Sequence, residues 1–188
     1  LGFANLLADG FSMSIGAYLS SKSEQDKYNR HRDIEAWEVE HMPDAEREEI
    51  REIYREKGFT GKTLDKIVDV ITSDKERWID VMMKEELEMI EESRSPVYIG
   101  FMTYISFLLV GLIPLLIYVI DFIQPIEGNL FFYASSLTAV AFCFVGVLKS
   151  YVTEATIWKG VLETLVLGII AAFVAYFVGD LLEHIVGL

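Results

Sequence analysis

The sequence predicts an all-α protein: a polytopic bundle of membrane helices with an acidic three-helix domain inserted on the cytoplasmic side. Two observations lead there. Hydrophobic residues make up 52% of the 188-residue chain and the mean hydropathy is +0.33, more apolar than a water-soluble domain needs. Yet 24% of residues are charged, so the two kinds must be kept apart. Fourteen of the 16 Lys and Arg and 22 of the 29 Asp and Glu lie between Lys22 and Arg94, giving that stretch a net charge of −8.

The apolar flanks divide into spans of about 20 residues, the length a bilayer requires. Residues 97–120 and 130–148 carry no charge, and a third run, 161–178, carries only Glu163, near its start, in a helix expected to extend to about 182. The first 21 residues form a weaker candidate. Asn5 and Asp9 would be costly against lipid, so this span is expected to face other protein. The short connections set the orientation, because Lys and Arg collect on the cytoplasmic side. Residues 121–129 have neither, whereas 149–160 contain Lys149 and Lys159. The 22–95 domain then lies in the cytoplasm and the C-terminus on the opposite side. A chain that begins in the cytoplasm would need one more span before Leu1.

Within 22–95 every segment reads as helix. The first continues out of the membrane to about Met42. Pro43 suits the first turn of the second, where no N–H donor is needed. Gly58 closes it, with Arg55 and Lys57 in the last turn favouring the negative helix end. A short helix over about 64–71 follows. Ser73 with Glu76 forms a capping box for the next, which is expected to run to about Glu92, and Pro96 starts the following span.

The net charge of −13 disfavours nucleic acid, whose phosphates need a basic face, and suits a cation. The lone Cys143 allows neither a disulfide framework nor a thiolate metal site and reads as a small core residue. No prosthetic group is expected. In the first helix, Asn5, Asp9 and Met13 stack at four-residue spacing, beside Ala8, Ser12, Gly16 and Ser20. Small residues at that spacing let membrane helices approach closely, so the ladder reads as a pathway at a helix seam or as plain packing. In the charged domain, Glu35 and Glu38 share a face, Glu46 and Glu49 share another, and Met82, Met83 and Glu86 fall within one turn. Carboxylates suit hard divalent cations and thioethers shift preference to softer ones; a solvated acidic face is the alternative. Glu38 and His41 make a single Glu-x-x-His, half of what a di-iron bundle needs.

The string Ala8-Asp9-Gly10-Phe11-Ser12-Met13-Ser14-Ile15-Gly16-Ala17-Tyr18-Leu19-Ser20, followed by Ser23-Glu24-Gln25-Asp26, resembles the second membrane helix of the vacuolar iron transporter family, which includes manganese transporters. Gly168 to Gly179, with Tyr176, resembles its fifth. The likeness covers essentially the whole chain and lacks the family's first helix. It implies a homodimeric, proton-coupled exporter of cytosolic Fe²⁺ or a related divalent transition metal, in a vacuole-like or prokaryotic inner membrane. It further implies that Glu35, Glu38, Glu46, Glu49, Met82, Met83 and Glu86 are metal ligands, and that Met13 lines the transport pathway. Asn5 stands where the family pattern has a carboxylate about two turns before Met13, leaving Asp9 the nearest acidic group. Ala17 stands where some members have Glu. Two other classes remain as rivals: a membrane-anchored, ferritin-like ferroxidase, and a non-catalytic scaffold whose acidic helices bind a basic partner.

Overall fold

The computed structural model describes residues 1–186; the last two residues, at the C-terminal end predicted to face away from the cytoplasm, lie outside them. The described chain is all-α. Its helices are α1 (Gly2–His41), α2 (Pro43–Glu56), α3 (Gly61–Thr72), α4 (Lys75–Glu85), α5 (Pro96–Ile123), α6 (Leu130–Val152) and α7 (Ile157–Val186). Three stretches are long and apolar enough to cross a membrane: Pro96–Ile123, Leu130–Val152 and Ile157–Leu182. Large side chains such as Phe101, Leu109, Phe144, Leu167 and Phe173 stand exposed along them. Water would not tolerate so much apolar surface; a bilayer solvates it. The N-terminal half of α1 is helical but is not among these three, and its polar groups are why.

The chain falls into two compact units, one of Leu1–Phe11 with the chain from Tyr104 onward, the other of Ser12–Thr103. In the first, α6 and α7 form a tight hairpin: a Cβ on Gly146 would lie 2.6 Å from the Val161 Cα. Lys149 and Glu163 pair across it at 2.7 Å. Leu6 and Gly10 of α1 pack on α5, Leu6 against Gly111 and Gly10 against Tyr104 and Phe107. In the second unit, the Ser14 hydroxyl donates to the Gly100 carbonyl at 2.7 Å, and a Cβ on Gly100 would meet the Ser14 carbonyl oxygen at 3.0 Å. The face of α1 that packs within the chain therefore carries Leu6, Gly10, Ser14 and Tyr18. The small-residue stripe singled out from spacing is different, and its Ala8, Ser12, Gly16 and Ser20 are exposed.

The second unit has its own core, drawn from the four helices α1 to α4: Val39, Ile50, Leu64, Val68, Ile71, Trp78, Ile79, Met82 and Met83. Local signals place most of its boundaries. Pro43 opens α2. Gly58 ends it at φ +94°, a conformation open to glycine without strain. There the Gly58 N–H reaches the Arg55 carbonyl at 2.9 Å and the Phe59 N–H that of Tyr54 at 3.2 Å, the paired bonds of a Schellman stop. The Phe59 and Tyr54 rings pack over the turn at 6.1 Å.

Two boundaries differ from expectation. Asp74, not Ser73, caps α4, accepting from the Arg77 N–H at 2.9 Å. Ser73 instead donates to the Val70 carbonyl at the end of α3. Asp and Ser are equally good caps, and the register was decided by where α3 stops. The second difference is larger: α4 ends at Glu85, about two turns before Glu92. Like charges at Glu85, Glu88, Glu91 and Glu92 fall at helix-destabilising spacings.

Replacing Gly100 with Val should destabilise the α1–α5 crossing by about 1–3 kcal/mol, while Ser14→Ala should cost about 0.5–1.5 kcal/mol. Thermal unfolding of the detergent-solubilised chain would rank the two, and the same stability for G100V as for the parent would contradict the tight crossing.

Candidate metal site in the acidic domain

The four helices of the second unit bring the predicted acidic residues into one neighbourhood. Glu35 faces inward from α1 one turn before Val39 of the core. Glu46 does the same from α2, one turn before Ile50. Each is only 4% exposed. Glu38 is half-buried and Glu49 and Glu86 are exposed, forming the outer side of the group. Met82 and Met83, consecutive on α4, have no exposed surface and belong to the same core cluster. Glu86 sits at the end of α4, where the chain leaves the helix.

The electrostatics are those of an unbalanced anionic group. Glu35 is pushed up to about 7 by burial first, then by the charges of Glu86, Glu38 and Glu49. Glu46 is also pushed up to about 7, by burial and by Glu49, Glu35, Glu38 and Glu86. Glu86 is raised by its partial desolvation and by Glu49 and Glu38. One carboxylate oxygen of Glu35 and one of Glu46 are buried with no hydrogen-bond partner. Burying a carboxylate oxygen without a donor costs on the order of 1–3 kcal/mol or more.

Several of the domain's basic residues pair with other carboxylates. Arg32 of α1 grips Glu76 and, at 2.7 Å, Asp80 of α4. Arg47 pairs with Asp69, Arg51 with Glu48 and Asp65, Lys57 with Glu85, and Lys75 with Glu40 at 2.8 Å. Among the described residues, none of the ion pairs includes Glu35, Glu38, Glu46, Glu49 or Glu86. The pairs that tie α1 to α4 fix the helices in place while leaving these five carboxylates uncompensated. No three His, Cys, Asp or Glu side chains among the described residues close into a ready coordination shell, as expected of like charges with nothing between them to draw them together.

The histidines lie apart from this chemistry. His41 stacks on Trp37 with ring centroids 4.5 Å apart, and its Nδ1 contacts the Trp37 carbonyl at 2.8 Å, so the histidine of Glu38-x-x-His41 packs on Trp37 at the helix end. His184 contacts the Asp180 carbonyl on α7. Asn5, Asp9 and Met13 are all exposed on α1, on the face next to the Leu6–Gly10–Ser14 seam. One member of the site's surroundings escapes sequence pattern altogether. Lys57 lies 5.2 Å from the centre of the Tyr54 ring and pairs with Glu85, pinning the last turn of α4, which carries Met82, Met83 and Glu86. Only the Schellman stop at Gly58 hints at where that lysine is held.

The raised carboxyls set a pH dependence. Their folded values lie above the ordinary value of 4.5, so the folded domain binds more protons than the unfolded one. The stability they contribute is full below about 4.5 and is lost as pH rises through about 7. Glu35→Gln removes that penalty. In the metal-free chain it should stabilise the domain on the order of 2 kcal/mol at pH 8 and little at pH 5. Denaturant titration followed by the fluorescence of core Trp78 would check this, and equal gains at both pH values would refute it.

Comparison with known proteins bears on what the group holds. The model of the VIT family matches residues 1–180. A vacuolar iron transporter of Toxoplasma gondii is 32% identical over 194 residues, covering 100% of this chain and 64% of its own length. Vacuolar iron transporter 1 of Eucalyptus grandis is 32% identical over 176 residues, covering 93% and 70%. A vacuolar iron transporter of Centaurea cyanus is 34% identical over 177 residues, covering 93% and 71%. The chain spans 64% to 71% of the length of these three relatives. With a family model matched along nearly all of it, this chain belongs to the VIT family.

Proposed function

We propose that the protein moves Fe²⁺, or a related divalent transition metal such as Mn²⁺, out of the cytosol across a vacuole-like or comparable membrane. The acidic domain captures the ion on the cytoplasmic side. The observation that carries this is the pair of buried carboxylates, Glu35 and Glu46, each with an oxygen lacking a partner, in a domain whose core also holds two fully buried thioethers, Met82 and Met83. A divalent cation would compensate the carboxylates, and the sulfurs favour a borderline or soft ion over Mg²⁺. The names of the relatives support iron as the cargo. Glu38, Glu49 and Glu86, on the more open side, supply a field that concentrates cations near the entrance.

Met13, with Asp9 and Asn5 on the same helix, is the candidate for the onward pathway through the membrane. Protons would move in exchange by titrating carboxylates that alternately hold metal and proton, and two copies of the chain would form the working unit. The metal is cargo here. A ferroxidase would need a second Glu-x-x-His, and the single one has its histidine engaged by Trp37.

In the full-length protein reconstituted in liposomes, Glu46→Ala should lower anaerobic Fe²⁺ uptake by about tenfold or more. Met82→Leu keeps the core volume, so it should leave folding intact while weakening Fe²⁺ relative to Mg²⁺ by about tenfold. Met13→Ala should reduce uptake without changing Fe²⁺ binding to the domain. Wild-type uptake and metal preference in all three variants would defeat the proposal.

A further inference from the structure

Inside the first unit, α5 and α6 do not close on each other along their whole length. Between them lies a cavity of about 220 Å³. Gly111 and Pro114 form its α5 wall, and Thr138 and Ala141 its α6 wall, with the Phe107 and Phe142 rings at its sides. The gap follows from where the larger groups go. Phe107 packs on Gly10 of α1, where a Cβ would meet its ring at 2.9 Å, and Phe142 packs on Gly168 of α7. Both rings thus lean towards neighbouring helices, and the walls that face each other carry only small side chains. The one polar side chain of the lining is Thr138, whose hydroxyl already donates to the Ala134 carbonyl at 2.9 Å. With no free polar partner, such a cavity stays dry, and cavities of about 150 Å³ with apolar walls already take up a small hydrocarbon.

Its place in the fold decides which hydrocarbon. Gly111 and Ala141 each lie about halfway along their helices, Pro96–Ile123 and Leu130–Val152, both long and apolar enough to span a membrane. That is the depth of the bilayer midplane, about 15 Å from either headgroup layer. Phe107, Pro114, Thr138 and Phe142 are half-buried, not sealed in, so the cavity has a mouth on the apolar surface that the bilayer solvates. Only the far ends of lipid tails reach that depth. We propose that this cavity is a binding site for the distal half of one acyl chain of a membrane phospholipid. The chain end acts as the side chain that the α5–α6 interface lacks, restoring the contacts that an empty cavity forfeits.

The test uses the full-length protein in detergent. In the parent, one phospholipid per chain should survive washing and appear in native mass spectrometry. Returning dioleoylphosphatidylcholine to the delipidated protein should raise the midpoint of thermal unfolding by about 4 °C or more. Dihexanoylphosphatidylcholine, whose chains stop short of the midplane, should not. Ala141→Phe fills the cavity from its α6 wall. It should lower lipid retention by about tenfold, raise the midpoint of the delipidated protein and remove its response to the long-chain lipid. Thr138→Leu adds less bulk from the same wall and carries the same readouts if A141F does not fold. A parent that retains no lipid, or that responds equally to both lipids, overturns the site. So does a folded filling variant that retains lipid and responds as the parent does. A filling variant that loses self-association instead of lipid also overturns it, and makes a second copy of this chain the occupant.

Discussion

Glu35 and Glu46 are carboxylates placed where a globular domain would put leucine. Each sits one turn from a core residue, almost wholly buried, with an oxygen that no donor reaches. A fold can carry such a cost only if the rest of its packing is strong enough. Nine apolar residues from four helices make up the core, and cross-helix pairs such as Arg32 with Asp80 and Lys75 with Glu40 hold the frame. The consequence is a domain built around an acidic group with no cationic partner among the described ion pairs, which the proposed capture of a cation would relieve.

That frame explains the unusual use of methionine. Met82 and Met83 are core residues and, in the proposed capture site, would also be its soft side. A flexible thioether tolerates both roles, because it packs like an aliphatic chain and still offers a polarizable lone pair. The trade is between stability and function, as where proteins keep strained or destabilised groups at working sites.

Helix α1 joins this domain to the membrane in one run of 40 residues. The return path leaves the helix after Glu85, and Glu88, Glu91 and Glu92 stand exposed along it.

Much of this was legible in the residues themselves. Apolar runs near bilayer length, Pro43 and Gly58 at helix ends, and the segregation of charge determine an all-α protein with spanning helices and an acidic domain, since these depend on local composition and period. The Glu and Met positions were legible as candidates, because spacing puts them on shared helix faces. Spacing could not say that Glu35 and Glu46 are buried while Glu49 is exposed, or that Arg32, Arg47, Arg51, Lys57 and Lys75 pair with other carboxylates. Nor could it say that α1 packs through Leu6, Gly10, Ser14 and Tyr18 rather than through its stripe of small residues, or that α4 stops at Glu85. Burial and pairing are relations between segments distant in sequence. They arise when the helices pack, and only the tertiary structure sets them.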